Sequence, residues 1–204
     1  MGQVCTATSR IYVQEGVYET FIQAFKIHVQ EVTKIGNPFS EDTSNGPQVS
    51  KGQWEKIMKY IAIGQSEGAK LVYGGNRHGK TGYFVTPTIF VDIKDDMVIS
   101  QEEIFGPVVT ITSFKTEEDV IKRANNSKYG LAAAIFTQDI TRAHKIAAKI
   151  QAGMVWVSLL VLFLKSAYLL HPIRSTVAMT VILEYLLGEE LSLPNFTFLP
   201  NCQV

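Results

Sequence analysis

Leu131-Ala132-Ala133-Ala134-Ile135-Phe136-Thr137 is a continuous apolar run that ends in a single hydroxyl. This is the pattern of a strand buried on both faces. What surrounds it decides the fold. Before it, Thr116 reads as the cap of a helix, with Asp119 at its third position and Val120, Ile121 and Ala124 turned inward. Tyr129-Gly130 ends that element. After the run, Asp139 caps a helix whose inner face is Ile140, Ala143, Ile146, Ala147 and Ile150, and Gly153 closes it. Met154 to Val157 then begins another strand.

The same alternation extends back to the start of the chain. Ser9 to Val13, Leu71 to Tyr73, Thr88 to Ile93 and Val108 to Phe114 read as strands. From Val17, residues Phe21, Ala24, Phe25, His28, Val29 and Val32 recur at helical spacing. Ser50 and Gln53 have the form of a capping box. The helix they open carries Trp54, Ile57, Met58, Ile61 and Ala62 on one face and stops at Gly68. Gln101 to Pro107 reads as a loop entering the strand at Val108. Strands alternating with helices need crossover connections, so the expected fold class is α/β, a mainly parallel sheet with helices on its faces.

The bulk composition narrows the function classes. Of 204 residues, 46% are apolar and 19% charged, and Lys+Arg balances Asp+Glu at 19 each. There is no basic excess of the kind that marks a nucleic-acid partner. Cys5 and Cys202 have neither metal-ligand spacing nor a disulfide framework, which favours a reducing, cytoplasmic setting and no metal.

The character changes after Ser158. Leu159 to Leu164 is unbroken and apolar, Lys165 interrupts, Pro172 stops the run, and Val177 to Leu187 is apolar again. Neither run reaches the roughly 18–20 uncharged residues of a membrane helix, so no membrane partner is expected. The expected organisation is a domain over 1–158 and a divergent apolar tail over 159–204 of uncertain structure, with two readings: a segment that does not belong to the fold, or a buried element.

The chemistry-bearing stretch is Gly2-Gln3-Val4-Cys5-Thr6-Ala7-Thr8-Ser9-Arg10. Small neighbours leave a thiol open to close approach, and a thiolate is a nucleophile. Arg10 has two readings, a charge that favours the thiolate or a structural cation. A lone cysteine is more often a small buried residue than a nucleophile.

This stretch resembles the cysteine signature of the NAD(P)-dependent aldehyde dehydrogenases. About a hundred residues on, Glu102-Glu103-Ile104-Phe105-Gly106-Pro107-Val108 is similar to a second segment of that family. Ile35-Gly36-Asn37-Pro38, Gly82-Tyr83-Phe84-Val85-Thr86-Pro87-Thr88, Asn125 to Leu131 and Ala152 to Val157 follow in the family's order. The resemblance covers residues 1–158 and is nearest to members that oxidise retinal and simple aliphatic aldehydes.

The resemblance implies that Cys5 is the catalytic nucleophile and that NAD (or NADP) is the cofactor. By position, Glu103 holds the nicotinamide ribose, Phe105 flanks the ring, and Gln53 and Lys56 lie near the other ribose. Each has a plainer reading: Glu103 and Lys56 as solvated charges, Phe105 as core, Gln53 as a cap. The partner implied is a small aldehyde. The family is usually homo-oligomeric, but its assembly segments have no match here. Its dinucleotide-binding domain, general-base glutamate and oxyanion asparagine lie upstream of the cysteine, so no residue here inherits those roles. The fold is therefore expected to be incomplete and this chain alone inactive. The alternative is a non-catalytic truncated relative acting as an interaction or regulatory subunit. The break at Ser158 is expected to reflect a reading-frame or splice-junction error, or a truncated gene.

Overall fold

The computed structural model describes residues 1–159, 162–163 and 179–183. Among these residues eight strands form one sheet: β1 (Thr8–Gln14), β2 (Lys70–Tyr73), β3 (Thr88–Val91), β4 (Val108–Phe114), β5 (Ala132–Phe136), β6 (Met154–Leu159), β7 (Leu162–Phe163) and β8 (Met179–Leu183). Their order is β2-β3-β4-β1-β8-β5-β6-β7. The six inner strands are parallel, and β2 and β7 run antiparallel at the two edges. The expected α/β class with a mainly parallel sheet is thus the observed one.

Among the described residues five α-helices connect the strands: α1 (Tyr18–Val32), α2 (Lys51–Ser66), α3 (Val98–Gln101), α4 (Glu117–Asn125) and α5 (Ile140–Ala147). Strand alternation sends Ile11 and Val13 to one face and Tyr12 to the other. On the first face α1 lays Tyr18, Phe21, Ile22, Phe25 and Val29 against Ile11, Val13, Ile89, Ile111 and Ala134. On the second, Val120 of α4 and Ile146 of α5 pack with Tyr12, Phe114 and Ile135. There too, Ile57 and Ile61 of α2 meet Phe90, Ile99 and Val108.

The local signals hold at the helix ends. The Ser50, Thr116 and Asp139 side chains accept hydrogen bonds from the N–H groups of Gln53, Asp119 and Arg142. α2 closes on Gly68 (φ +90°), with Ala69 N–H bonded to Gly64 C=O and Gly68 N–H to Gln65 C=O. That is a Schellman turn, in which glycine takes the left-handed position without a side-chain clash.

Three positions read as inward prove exposed: Val32, Ala62 and Ile140. Each sits at a margin of its helix's apolar stripe, where periodicity does not fix the edge. The short α3 falls between the strand read to Ile93 and the loop read from Gln101, a stretch to which the sequence reading assigns no element. The tail differs most. The sequence reading leaves it between a buried element and a segment outside the fold; Met179–Leu183 lies in the middle of the sheet. The rest of the tail, including most of both apolar runs, lies outside the described residues. No described helix is long and apolar enough to cross a membrane.

Candidate active site

β1 and β4 are parallel neighbours, with Arg10 opposite Thr110 and Gln14 opposite Phe114. The segments that lead into them, Gly2–Ala7 and Glu102–Pro107, therefore enter the same edge of the sheet side by side. Their closest approach is at Gly2 (φ +75°), where any side chain would collide with the Gly106 carbonyl. Polar contacts anchor the first segment. The Gln48 amide donates to Met1 C=O at 3.3 Å, and Gln3 Oε1 accepts from Val49 N–H at 2.9 Å. Cys5 stands in a turn closed by Ala7 N–H to Val4 C=O at 2.9 Å. Its thiol is free and exposed, so the buried-cysteine reading does not apply.

The second segment is strained. Phe105 has φ +57°, which costs about 1–3 kcal/mol for a bulky residue. Surrounding groups hold it there. Gln53 Nε2 donates to Ile104 C=O at 3.1 Å and to Phe105 C=O at 2.8 Å. Ile57 fills the space beneath Gly106 so closely that a side chain there has no room. Glu103 N–H donates to the Tyr129 hydroxyl at 3.0 Å. Tyr60 donates to Glu102 Oε2 at 2.6 Å, and retaining that proton for the carboxylate pushes the phenol up to about 12.

Glu103 is partly buried. Desolvation raises its pKa above the ordinary carboxylate range, while Lys56 and Arg10 pull it back down. Among the described residues its carboxylate accepts no hydrogen bond, so both oxygens are open to donors from a ligand. Lys56 is exposed, with its ammonium 5.7 Å from the centre of the Tyr60 ring.

The fold thus gathers Gln53, Lys56, Glu103 and Phe105 beside the segment that carries Cys5. Gln53 differs from its sequence reading in one respect. Ser50 caps its N–H as expected, but the Gln53 amide does not complete the box. Both of its amide bonds go to the strained loop instead. Arg10 is 6% exposed and donates to Ser100 C=O and Ser127 Oγ, both at 3.3 Å, which is the structural role of the two readings. It also helps line a cavity of about 10 Å³ with Tyr12, Asp95, Ser100 and Arg123, room for one water at most. Cys5, Glu103 and Phe105 do not line that cavity.

Sequence reading missed Tyr60 and Tyr129, which tie down Glu102 and Glu103. Tyr129 read only as a helix terminator, and no local pattern tells which hydroxyl reaches which loop.

The site is thus a mainly parallel α/β domain that presents a free, exposed thiol beside a pinned, strained loop at the entrance to two neighbouring inner strands. The aldehyde dehydrogenase family model matches residues 1–161, and this chain belongs to that family. It is 51% identical over 157 residues to an aldehyde dehydrogenase of Emericella nidulans, covering 77% of this chain and 31% of the relative. Identity and coverage are the same for the mitochondrial aldehyde dehydrogenase of Mesocricetus auratus. Among solved structures, the NAD+ complex of aldehyde dehydrogenase from Bacillus cereus superposes with a TM-score of 0.74 at 47% identity, over 76% of this chain and 32% of that one. Betaine aldehyde dehydrogenase from Staphylococcus aureus with NAD+ gives 0.74 at 42% identity, with the same coverage. The chain spans about a third of the length of these relatives.

Proposed function

We propose that residues 1–158 are part of the catalytic domain of an enzyme that oxidises an aldehyde to a carboxylic acid with NAD or NADP, and that Cys5 is its nucleophile. One observation carries this reading. The Cys5 segment and the Glu103–Phe105 loop enter adjacent parallel strands in contact at Gly2 and Gly106. A thiol and a carboxylate are thereby brought to the entrance of the same two strands.

The Cys5 thiolate adds to the aldehyde carbon, and the carbonyl π electrons move to oxygen, giving a thiohemiacetal alkoxide. Collapse of that alkoxide expels hydride and leaves a thioester on Cys5. Water then cleaves the thioester to release the acid and the thiol. NAD, when bound, supplies the hydride acceptor. The Glu103 carboxylate suits a ribose diol because two acceptor oxygens match two hydroxyl donors. Phe105, pinned through its own carbonyl, presents a ring whose direction is fixed. Gln53 acts by holding Phe105, and Lys56 supplies positive charge beside Glu103. The names of the relatives support both the aldehyde and NAD. A cytoplasmic location rests on the cysteine usage alone.

The test is ester hydrolysis by the 204-residue chain, which needs the thiol but no hydride acceptor. With a p-nitrophenyl ester, the chain and Cys202→Ala should give a stoichiometric acylation burst, and Cys5→Ala should give none. A burst that survives Cys5→Ala overturns the assignment. A second reading is a non-catalytic subunit. Co-purification with a full-length dehydrogenase and no burst would support it.

A further inference from the structure

Two arginines line the cavity that Tyr12, Asp95 and Ser100 share, and they are satisfied on unequal terms. Arg123 spends its donors inside the protein. Its Nε and Nη2 donate to the Asp95 carboxylate at 2.8 to 3.0 Å. Its Nη1 donates to Ser113 C=O at 2.8 Å and lies 3.6 Å from Asp119. The Arg123 guanidinium carbon also stands 5.3 Å from the centre of the Tyr12 ring.

Arg10 is buried where Arg123 is only half-buried, yet it is held less firmly. Both of its hydrogen bonds are 3.3 Å long, and among the described residues no carboxylate pairs with it. One acceptor, Ser100 C=O, belongs to the four-residue α3, too short a helix for its end to carry much negative charge. Burial lowers the Arg10 pKa, and Tyr12, Tyr129 and Glu103 offset part of that fall. A guanidinium has five N–H donors. Two long bonds leave it short of acceptors, and a buried charge without a counter-charge is costly.

A second group in the same cavity is in the same condition. Tyr12 is 6% exposed, and its hydroxyl makes no hydrogen bond among the described residues. Buried hydroxyls are normally paired, so one beside an under-paired guanidinium marks a place that wants an acceptor. Asp95 does not meet that want, because Arg123 holds both of its oxygens. The lining residues carry two positive charges and one negative. The cavity is one water deep and opens onto solvent-connected space of about 230 Å³, with exposed Asn126 at its rim.

We propose that this cavity is an oxyanion site. One oxygen of a small carboxylate or phosphate enters it and accepts from Arg10 and the Tyr12 hydroxyl, while the rest of the anion stays at the mouth. The site is distinct from the Cys5 segment and the Phe105 loop, since Cys5, Glu103 and Phe105 do not line it.

Titration of the 204-residue chain, followed by NMR at the Arg10 Nε–H, tests this. Inorganic phosphate and acetate are the probes, each compared with sodium chloride at equal ionic strength. At least one probe should give a saturable shift that chloride does not. Saturation by phosphate alone assigns a tetrahedral ligand, by acetate alone a planar one, and by both a general oxyanion site.

Two variants place the anion. Tyr12→Phe keeps the ring and removes the hydroxyl, and should weaken binding about threefold or more. Asn126→Asp puts a negative charge at the rim on an exposed residue, and should weaken it about tenfold. Asn76→Asp, equally exposed in the loop after β2, should leave it unchanged. Weakening by either rim or cavity variant supports the site. A shift that only follows chloride, or one that neither Tyr12→Phe nor Asn126→Asp weakens, is an adventitious ion only and overturns the proposal.

Discussion

The two ends of α2 are built on different terms. Its C-terminal end is local. Gly64, Gln65, Gly68 and Ala69 make the Schellman turn among themselves, and the left-handed position is taken by glycine. Its N-terminal end begins locally, with the Ser50 cap, and then reaches outward. Gln53 holds Ile104 and Phe105, and Lys56 acts on Glu103. There the left-handed residue is Phe105, fifty residues away in sequence and strained. A turn that only ends a helix uses the unstrained residue. A turn that must aim an aromatic ring accepts strain and needs partners to hold it.

Four substitutions break or sharpen this contrast. Ile57→Ala acts in the helix between the two ends and should have the largest effect. Ile57 is fully buried, packs in the α2 core and fills the space under Gly106, so its loss should cost about 2–5 kcal/mol by chemical denaturation. Gln53→Met keeps the volume but leaves two carbonyls without their donor. It should cost about 1–3 kcal/mol and speed hydrogen exchange at residues 104–108 more than at 64–69. Equal acceleration at both ends would show that the amide acts only on global stability.

Gly68→Ala should cost about 1–2 kcal/mol from its φ of +90° alone, because the space around it is open. It should leave exchange in the Phe105 loop unchanged. The smallest effect is expected from Glu103→Gln, and it should depend on pH. The folded state holds this carboxyl above its ordinary range, so ionising it opposes folding. That contribution is favourable below the ordinary carboxylate pKa and is lost as pH rises through the raised folded value. Glu103→Gln should therefore melt slightly higher than the parent at about pH 7.5 and equal to it at about pH 3.5. A gap that widens in acid would reverse the sign of the argument.

The same division governs what could be read without coordinates. The caps at Ser50, Thr116 and Asp139, the stop at Gly68 and the two-sided run of β5 were legible because each depends on residues within one turn or one strand. Cys5 and the Glu103–Phe105 loop were legible by family resemblance, and their adjacency follows from β1 and β4 being parallel neighbours. The strain at Phe105 was not legible, nor were the diversion of Gln53 from its capping box and the Tyr129 and Tyr60 contacts. Each depends on which distant backbone comes within hydrogen-bonding reach.

β8 shows the limit most clearly. By sequence, Met179–Leu183 is an apolar, β-branched stretch in a tail past the family match, and nothing near it in the chain names the strands it would pair with. By itself, then, the sequence determined the α/β alternation, the helix ends and the reactive residue types. Only the tertiary structure decided which strand fills the centre of the sheet and which side chains hold the loop beside Cys5. The physical reason is that hydrogen bonds between distant segments are satisfied in space, and local pattern carries no record of the partner.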